Sequence, residues 1–215
     1  MALIQKFAAG FVLSILGIRQ EVTMDKNELR KKLYEKRKTI VQEQPEVLVR
    51  LQDSISAWLR QREFFCAGFY RAFRYEPDIT EVLSLWAKSG GGQLAVPRVD
   101  DALGGLMHFC LWSEDMPTVK GVFGIEEPER DILVWPDVIF SPCVGINRAG
   151  YRLGNGGGFF DRYLSAGRLL PKPPVTVAVA FDELITDENY QQPHDIAFDW
   201  VVTQSGFVST KSRRA

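Results

Sequence analysis

Residues 150–164 read Gly-Tyr-Arg-Leu-Gly-Asn-Gly-Gly-Gly-Phe-Phe-Asp-Arg-Tyr-Leu, and they carry more information than any other stretch of the chain. Four of the five residues at 154–158 are glycine, which lets backbone N–H groups turn toward a ligand without obstruction from a Cβ atom. Residues 159–166 contain no helix breaker and place apolar side chains at helical spacing. A Gly-rich loop that leads into a helix attracts anions, because the first N–H groups are free and the helix dipole favours negative charge.

Charged side chains flank these glycines. Arg152 and Arg162 are charge-assisted donors suited to phosphate oxygens, and Asp161 is a hard oxygen ligand of the kind Mg²⁺ takes beside nucleotide phosphates. The stretch therefore predicts a nucleotide-phosphate loop. It is neither a P-loop, since no Gly-Lys-Ser/Thr follows, nor a dinucleotide fingerprint, since Phe159 stands where the third glycine belongs. On the glycines alone, a flexible surface turn before a helix remains the alternative.

The composition is that of one soluble domain. The chain has 215 residues, of which 46% are hydrophobic and 25% charged, enough for a sizeable core. A net charge of −1 gives no global basic field for nucleic acid. Cys66, Cys110 and Cys143 are widely spaced, without a CxxC pair or a cluster of zinc-like spacing, so we expect reduced cysteines and a cytoplasmic location.

The N-terminal residues are set apart from the rest of the sequence. Residues 7–18 form an apolar run that is too short to span a membrane. We interpret residues 1–23 as a dispensable extension, because a second methionine, Met24, stands just before the first recognisable helix. A targeting segment remains the alternative.

Hydrophobic periodicity predicts alternating helices and strands over residues 24–207. Asp25 is a candidate N-cap whose capping box Glu28 would complete, Pro45 opens a second helix, and a third runs from Asp78 or Thr80 to a stop at Gly90. The predicted strands are 64–70, 93–97, 106–112, 138–141, 175–181 and 200–203. This pattern predicts a single α/β domain with three αβα layers, a mainly parallel central sheet and a disordered tail at 208–215.

The first predicted helix has a strongly basic face. A run of this kind ordinarily forms a solvated helix surface. Its residues are Lys26, Arg30, Lys31, Lys32, Lys36, Arg37 and Lys38.

Several predicted strands end in residues that can contact a ligand. Tyr70-Arg71 ends one strand, Pro97-Arg98 another, and Pro142 a third that leads toward the Gly-rich loop. Ligands of open α/β sheets bind outside the carboxyl ends of the strands, so we expect these ends to converge on one site.

The complete sequence of residues 150–162 is a more specific signal than its glycines alone. It resembles the signature of the 5-formyltetrahydrofolate cyclo-ligase family, Gly-x-Arg-Leu-Gly-x-Gly-Gly-Gly-Tyr-Tyr-Asp-Arg, with two phenylalanines in place of the tyrosines. Further matches extend the resemblance from residue 26 to about residue 203. They are Lys26-x-x-Leu29-Arg30, Glu76 after Tyr70-Arg71, Pro97-Arg98-Val99, Gly124-Ile125-x-Glu127-Pro128, and His194-Asp195 with Asp199.

The resemblance implies a reaction. It is the ATP- and Mg²⁺-dependent closure of 5-formyltetrahydrofolate to 5,10-methenyltetrahydrofolate, in which the formyl oxygen takes the γ-phosphoryl group and N10 attacks the activated carbon. Phosphoryl transfer needs positioning and charge neutralisation more than covalent help from the protein. The implied partner is this small molecule, with no nucleic acid or membrane, and the implied assembly is a monomer or small homo-oligomer.

The resemblance also implies roles for individual residues. Arg152, Lys26 and Arg30 are the implied catalytic cations. ATP would be held by these three and by Leu153, Gly154, Asn155, Gly156, Gly157, Gly158, Phe159 and Phe160. The folate would contact Arg30, Tyr70, Arg71, Glu76 and Phe159. Asp161 and Asp195 would hold Mg²⁺.

Each role has a plain alternative. Asp161 lies near a helix start and could serve only the helix dipole, Asp195 could cap a turn after Pro193, and Glu76 could be an ordinary loop carboxylate. The chain also departs from its relatives at Ile146-Asn147, where an aromatic residue and an aspartate are usual. A non-catalytic folate-binding relative, or an enzyme that uses ATP on another small acid, remains an alternative function.

Overall fold

The computed structural model describes residues 25–211 of the chain. The predicted N-terminal extension, 1–23, and the last four residues of the predicted tail lie outside this range. Within it, no helix has the length and apolar character needed to cross a bilayer.

Four α-helices form where the sequence pattern places them. They are α1 (Lys26–Glu43), α2 (Glu46–Leu59), α3 (Thr80–Trp86) and α4 (Phe159–Gly167). A π-turn at Ala87–Gly91 follows α3 directly. A short 3-10 turn at Asp182–Leu184 follows the strand Val175–Val179. Gly90 ends the α3 region with a φ of 87°, a backbone conformation that glycine adopts without penalty.

The predicted capping box at the start of α1 is wrong. Asp25 is the N-cap residue, but its side chain makes no capping hydrogen bond. Asp25 and Glu28 are both exposed, so water can satisfy the first N–H groups of the helix.

An eight-stranded sheet forms the centre of the molecule. Its strand order is β13-β12-β10-β7-β1-β2-β3-β6, and the five strands from β12 to β2 are parallel, whereas β13, β3 and β6 are antiparallel to their neighbours. The bounds are β1 Cys66–Gly68, β2 Gln93–Asp101, β3 Leu106–Trp112, β6 Leu133–Val134, β7 Val138–Pro142, β10 Val175–Val179, β12 Trp200–Thr203 and β13 Gly206–Ser209.

Helices cover both faces of this sheet. A Cβ atom at Gly68 would lie 2.8 Å from the ring of Phe109, and Phe109 contacts Tyr163 of α4 with ring centroids 5.1 Å apart. Phe140 follows the residue paired with Gly68 and therefore points to the other face, where its ring lies 6.3 Å from Trp58 of α2. The predicted three-layer α/β fold with a mainly parallel sheet is confirmed.

The strand order reverses direction between β1 and β7. From β1 the chain moves outward to β2 and β3 on one side, and from β7 it moves outward to β10 and β12 on the other. Such a switch point opens a crevice at the carboxyl ends of the two central strands, which is where α/β sheets bind ligands.

Short strands that the periodicity did not reveal build the loops above this edge. A hairpin pairs β4 (Thr118–Lys120) with β5 (Glu126–Pro128), and a small sheet pairs β8 (Gly145–Asn147) with β9 (Arg152–Leu153) and β11 (Ile185–Thr186). Strands of two or three residues are too short to show alternation in the sequence.

The last strand corrects the predicted start of the tail. Strand β13 extends to Ser209, two residues beyond the boundary at 207. Phe207 holds this strand in place because its ring stacks on Trp58, with centroids 4.4 Å apart.

Candidate functional site

A cavity of about 1270 Å³ opens at the carboxyl edge of β1 and β7. Every residue to which the sequence gives a site role lines this cavity. They are Lys26, Arg30, Tyr70, Arg71, Glu76, Arg152, Leu153, Gly154, Asn155, Gly156, Gly157, Gly158, Phe159, Phe160, Asp161 and Asp195.

The Gly-rich loop presents unpaired backbone donors. Within residues 25–211, no protein group accepts a hydrogen bond from the backbone N–H groups of residues 154–161. Gly156 has a φ of 106° and Gly158 a φ of 68°, conformations that turn the chain sharply into α4. These N–H groups at the start of a helix are a fitting cradle for an anionic phosphate chain.

Two ion pairs lie beside this cradle. Lys26 Nζ lies 2.9 Å from Asp195 Oδ2, and Arg152 Nη2 lies 2.9 Å from Asp161 Oδ2. The Arg152 side chain is only 7% exposed, and its buried Nε finds no acceptor among the described residues. A buried donor without a partner is costly, so this guanidinium is poised to bind a further acceptor.

Two more arginines hold the loop itself. Arg30 Nε donates to the Gly154 carbonyl at 2.9 Å, and Arg162 Nη1 donates to the Gly157 carbonyl at 2.7 Å. Arg30 Nη1 also donates to Asn27 Oδ1 at 2.9 Å. Both arginines line the cavity and keep further N–H donors, because these bonds use only part of each five-donor fork.

The two predicted metal ligands fit a magnesium ion by chemistry and position. Asp161 and Asp195 both line the cavity and offer hard carboxylate oxygens. The Ile196 N–H lies 3.4 Å from Asp161 Oδ1, which places the Asp195 segment next to Asp161. Asp195 also has the turn role, since the Gln192 N–H donates to its Oδ2 at 2.8 Å. In each carboxylate the cation pairs with Oδ2, and no lysine or arginine among residues 25–211 pairs with Oδ1, although His194 Nε2 lies 3.7 Å from Asp195 Oδ1.

Glu76 lines the cavity from the loop after β1, next to Asn155 of the Gly-rich loop. Its carboxylate accepts hydrogen bonds from the Phe73 N–H at 3.1 Å and from Asn155 Nδ2 at 3.3 Å. Burial raises the pKa of the Glu76 carboxyl above its ordinary value, although the Arg37 guanidinium and the Phe73 N–H work in the other direction. Glu76 is therefore a half-buried acceptor that faces ligand-sized space.

The other residues predicted to contact the folate take different positions. Tyr70 is only 3% exposed, and its hydroxyl donates to the Pro77 carbonyl at 2.5 Å, so it shapes the wall rather than presenting a ring face. Arg71 lies over the Trp112 ring at 5.1 Å, with Glu126 3.7 Å away.

The two phenylalanines that replace tyrosines have different surroundings. Phe159 lies in the cavity, where its ring meets Phe123 edge to face with centroids 5.6 Å apart. Phe160 is 9% exposed and packs between Phe109 and the Arg152 guanidinium. A ligand would therefore meet the ring of Phe159 but mainly the backbone of Phe160.

Asn147 stands at the position where an aspartate is usual, and its side-chain oxygen accepts hydrogen bonds there. Its Oδ1 accepts hydrogen bonds from the N–H groups of Ala149 at 3.1 Å and Tyr151 at 3.0 Å. This asparagine thus shapes the turn that leads into the Gly-rich stretch, and the substitution preserves that turn.

Sequence reasoning misassigned Arg37, which was grouped with the solvated basic face of α1. The structure buries it completely: Nη1 donates to the Cys143 carbonyl at 3.1 Å and Nη2 to the Arg74 carbonyl at 2.8 Å. Arg37 therefore ties the loop after β1 to the loop after β7. Its position in line with Leu33 and Ile40, the buried side of the helix, is the signal that could have revealed it.

Three cavity residues of the β4–β5 region, Phe123, Ile125 and Glu127, were also missed. Phe123 follows the exposed hairpin strand, and Glu127 is a 7% exposed carboxylate that lies 3.3 Å from the Val99 N–H. Glu127 belongs to a matched motif, but that motif carried no role in the sequence analysis.

The fold and the cavity define a three-layer α/β protein with a Gly-rich loop, free in its backbone N–H groups, beside the switch point of its sheet. The family model of the 5-formyltetrahydrofolate cyclo-ligases matches residues 22–204, and the chain belongs to that family.

Curated relatives and solved structures agree with this membership. Proteins named 5-formyltetrahydrofolate cyclo-ligase are 30% identical over 120 residues in Mycolicibacterium smegmatis and 31% identical over 112 residues in Haemophilus influenzae. These matches cover 53% and 49% of this chain, and 60% and 59% of the relatives, so the alignment spans about three fifths of each relative's length.

The solved 5,10-methenyltetrahydrofolate synthetase of Aquifex aeolicus superposes with a TM-score of 0.70 at 26% identity, covering 87% of this chain and 94% of that one. The Mycoplasma pneumoniae 5,10-methenyltetrahydrofolate synthetase shares the fold, with a TM-score of 0.65 at 21% identity and coverage of 84% and 99%.

Proposed function

We propose that the protein catalyses the ATP- and Mg²⁺-dependent cyclisation of 5-formyltetrahydrofolate to 5,10-methenyltetrahydrofolate, with release of ADP and phosphate. One observation carries the nucleotide part of this proposal: the unpaired N–H groups of residues 154–161 line the same cavity as three cationic side chains. Family membership supports the folate part.

The phosphates would lie on the amides of the Gly-rich loop. Lys26, Arg30 and Arg152 would neutralise their charge, and Arg152 would offer its unpaired Nε as well. Asp161 and Asp195 would hold Mg²⁺, which supplies positive charge shared between phosphate oxygens when bound.

The folate would occupy the end of the cavity that contains Glu76. The pterin amino group and ring N–H are donors, and the Glu76 carboxylate is an acceptor directed into the cavity. The ring of Phe159 offers an apolar surface on which the pterin can pack.

The reaction then balances in two transfers. The formyl oxygen takes the γ-phosphoryl group as ADP leaves. N10 attacks the formyl carbon and loses its proton, and the carbon–oxygen bond breaks to release phosphate. The site residues position the two substrates and stabilise charge on the phosphoryl oxygens, with no covalent intermediate on the protein.

The experiment is a spectroscopic assay of the purified chain with 5-formyltetrahydrofolate, ATP and Mg²⁺, monitored for methenyl absorbance. We expect product formation that requires all three reagents. The matched variants are Lys26→Ala, with the exposed Lys36→Ala as control, and Asp195→Asn, with the exposed Asp187→Asn as control. Each site variant should lose about 10²-fold or more in turnover, and each control should retain it.

Two results would reject the proposal. Binding of both folate and ATP without product would favour a non-catalytic relative, and ATP binding without folate binding would favour an enzyme for a different acid.

A further inference from the structure

A second cluster of potential ligands lies outside the cavity, on the antiparallel side of the sheet. His108 Nε2 is 2.7 Å from Asp131 Oδ1, and Cys110 Sγ is 3.1 Å from the same oxygen. The three side chains can bring a nitrogen, a sulfur and an oxygen within 4.8 Å of one another. Three chemically different donor atoms therefore converge on one point.

The backbone arranges this convergence. His108 and Cys110 are two residues apart on β3 and project to the same face. Asp131 comes from the segment just before β6, the neighbouring strand of the sheet. The face is opposite to that of Met107 and Phe109, and Met107 lines the folate cavity, so the cluster lies behind the wall of the site rather than within it.

A β-bulge brings a fourth side chain to the cluster. The pairing register between β2 and β3 shifts between Val99 and Asp101, which makes Asp100 the extra residue. Its carboxylate lies 2.8 Å from His108 Nδ1. A carboxylate on Nδ1 holds the imidazole tautomer in which Nε2 can bind a metal, and the metal would then take the place of the present contact between Nε2 and Asp131 Oδ1.

We propose that His108, Cys110 and Asp131 form a zinc site, with Asp100 as its outer carboxylate. The donor set of one thiolate, one imidazole and one carboxylate suits borderline-soft Zn²⁺ rather than Mg²⁺ or Ca²⁺. Asp100 and Asp131 supply negative charge, and Arg98 is the nearby cation, its guanidinium directed to the Pro128 carbonyl at 3.0 Å.

The proposed zinc site lies beside β6, the edge strand of the sheet, and it takes no part in the cyclisation reaction. The Cys110 side chain is buried beneath the half-exposed Asp131, so the ion enters from the Asp131 side, and water takes the fourth position. Its role is to fasten β3 to the segment that precedes β6.

The test titrates the full-length chain, freed of metal by a chelator, with Co²⁺ and then with Zn²⁺. We expect one equivalent of Co²⁺ to give a thiolate-to-cobalt charge-transfer band, which Zn²⁺ then abolishes by displacement. This band separates the site from Asp161 and Asp195, which contain no sulfur.

Four variants decide the assignment. Cys110→Ser should abolish the band, and Cys66→Ala, which removes another buried thiol, should keep it. Asp131→Asn and Asp100→Asn should each weaken Zn²⁺ binding by about 10- to 100-fold. Asp131 is exposed, so its variant retains the fold even where Cys110→Ser does not, as circular dichroism can verify. Absence of the band, its persistence in Cys110→Ser, or unchanged affinity in Asp131→Asn would overturn the proposal.

Discussion

At the scale of single residues, the site keeps charged groups in positions that cost stability. Glu76 is the clearest example, because burial raises the pKa of its carboxyl even though the Arg37 guanidinium and the Phe73 N–H stabilise the charged form. A buried carboxyl of this kind destabilises the folded chain at neutral pH.

Glu76→Gln should therefore separate stability from function. We expect folate affinity to fall about 10- to 100-fold, because an amide is a poorer acceptor for the pterin donors. The free energy of unfolding should rise at neutral pH. Equilibrium denaturation and folate titration measure the two effects, with the exposed Glu81→Gln as the control.

The difference in the free energy of unfolding between Glu76→Gln and the parent should also depend on pH in a defined direction. Because the pKa of the Glu76 carboxyl is raised on folding, the folded chain binds the proton more tightly than the unfolded chain does. The favourable contribution of this proton to the free energy of unfolding is complete below the pKa of the unfolded chain, and it is lost as pH rises through the pKa of the folded chain. The stability gap between Glu76→Gln and the parent should therefore widen from acidic to neutral pH. A gap that stays constant would show that burial of the charge is not its source.

Arg37 shows where residue-level prediction fails. The first helix carries seven basic residues, and their number does not show which of them is buried. Only the helical spacing from Leu33 to Arg37 and on to Ile40 places Arg37 on the buried side of the helix. Its two carbonyl partners lie 37 and 106 residues away along the chain, a distance that local pattern cannot span.

Arg37→Met should destabilise the fold. The change removes a buried cation but leaves the Cys143 and Arg74 carbonyls without their donors, at about 1–3 kcal/mol for each unsatisfied group. Urea denaturation should show a lower midpoint, whereas Arg50→Met on the exposed side of α2 should change it little. Equal effects from the two substitutions would contradict the assigned role of Arg37.

At the scale of elements, the Gly-rich loop is supported from outside as well as by its own sequence. Gly105, in the turn between β2 and β3, has a φ of 67°, and a Cβ there would lie 2.6 Å from the Gly157 carbonyl and 2.2 Å from Arg162 Nη1. The turn thus packs directly against the loop that cradles the proposed phosphates.

Gly105→Ala should weaken ATP binding without a direct contact to ATP. The added methyl group must displace the Gly157 carbonyl, and a shift in the cradle should cost about tenfold or more in affinity. Gly124→Ala is the matched control, since its φ of 72° imposes similar backbone strain while nothing lies within 4 Å of the added atom. Isothermal titration with ATP compares the two variants, and equal losses would exclude the packing argument.

The predictability of elements depended on their length. Strands such as Leu106–Trp112 and Trp200–Thr203 were delimited correctly because most of their consecutive residues are apolar. The strands β4, β8, β9 and β11 were not foreseen, because two or three residues give no period and their pairing depends on distant partners. The convergence of Tyr70-Arg71 and Pro142 was foreseen because it follows from parallel pairing alone. Pro97-Arg98 was wrongly predicted to end its strand, since β2 continues to Asp101 and Arg98 does not line the cavity.

At the scale of the whole molecule, the ion pairs of the cavity make binding an exchange of partners. Asp195 and Asp161 each neutralise one cation in the structure. Phosphates that take Lys26 and Arg152 would leave two carboxylates without a counter-ion unless a metal arrives with the nucleotide. ATP and Mg²⁺ should therefore stabilise the chain more together than ATP does alone.

This coupling can be measured by thermal unfolding. Mg·ATP at a hundred times its Kd should add about 2.7 kcal/mol, or roughly 5–10 °C in Tm, and ATP without metal should add clearly less. Asp195→Asn should reduce the difference between the two conditions, and Asp187→Asn should preserve it. An identical shift with and without Mg²⁺ in the parent would rule out the exchange.

The ion pair between Lys26 and Asp195 joins residues 169 positions apart. Lys26 is the first residue of α1, so it leaves the ribosome 169 residues before the carboxylate with which it pairs. A nascent chain that stops before residue 195 lacks β12 and β13 of the central sheet as well as a carboxylate of the proposed metal site. Competence to bind nucleotide should thus arise in a single late step of biosynthesis, and truncated products should be inert rather than partly active.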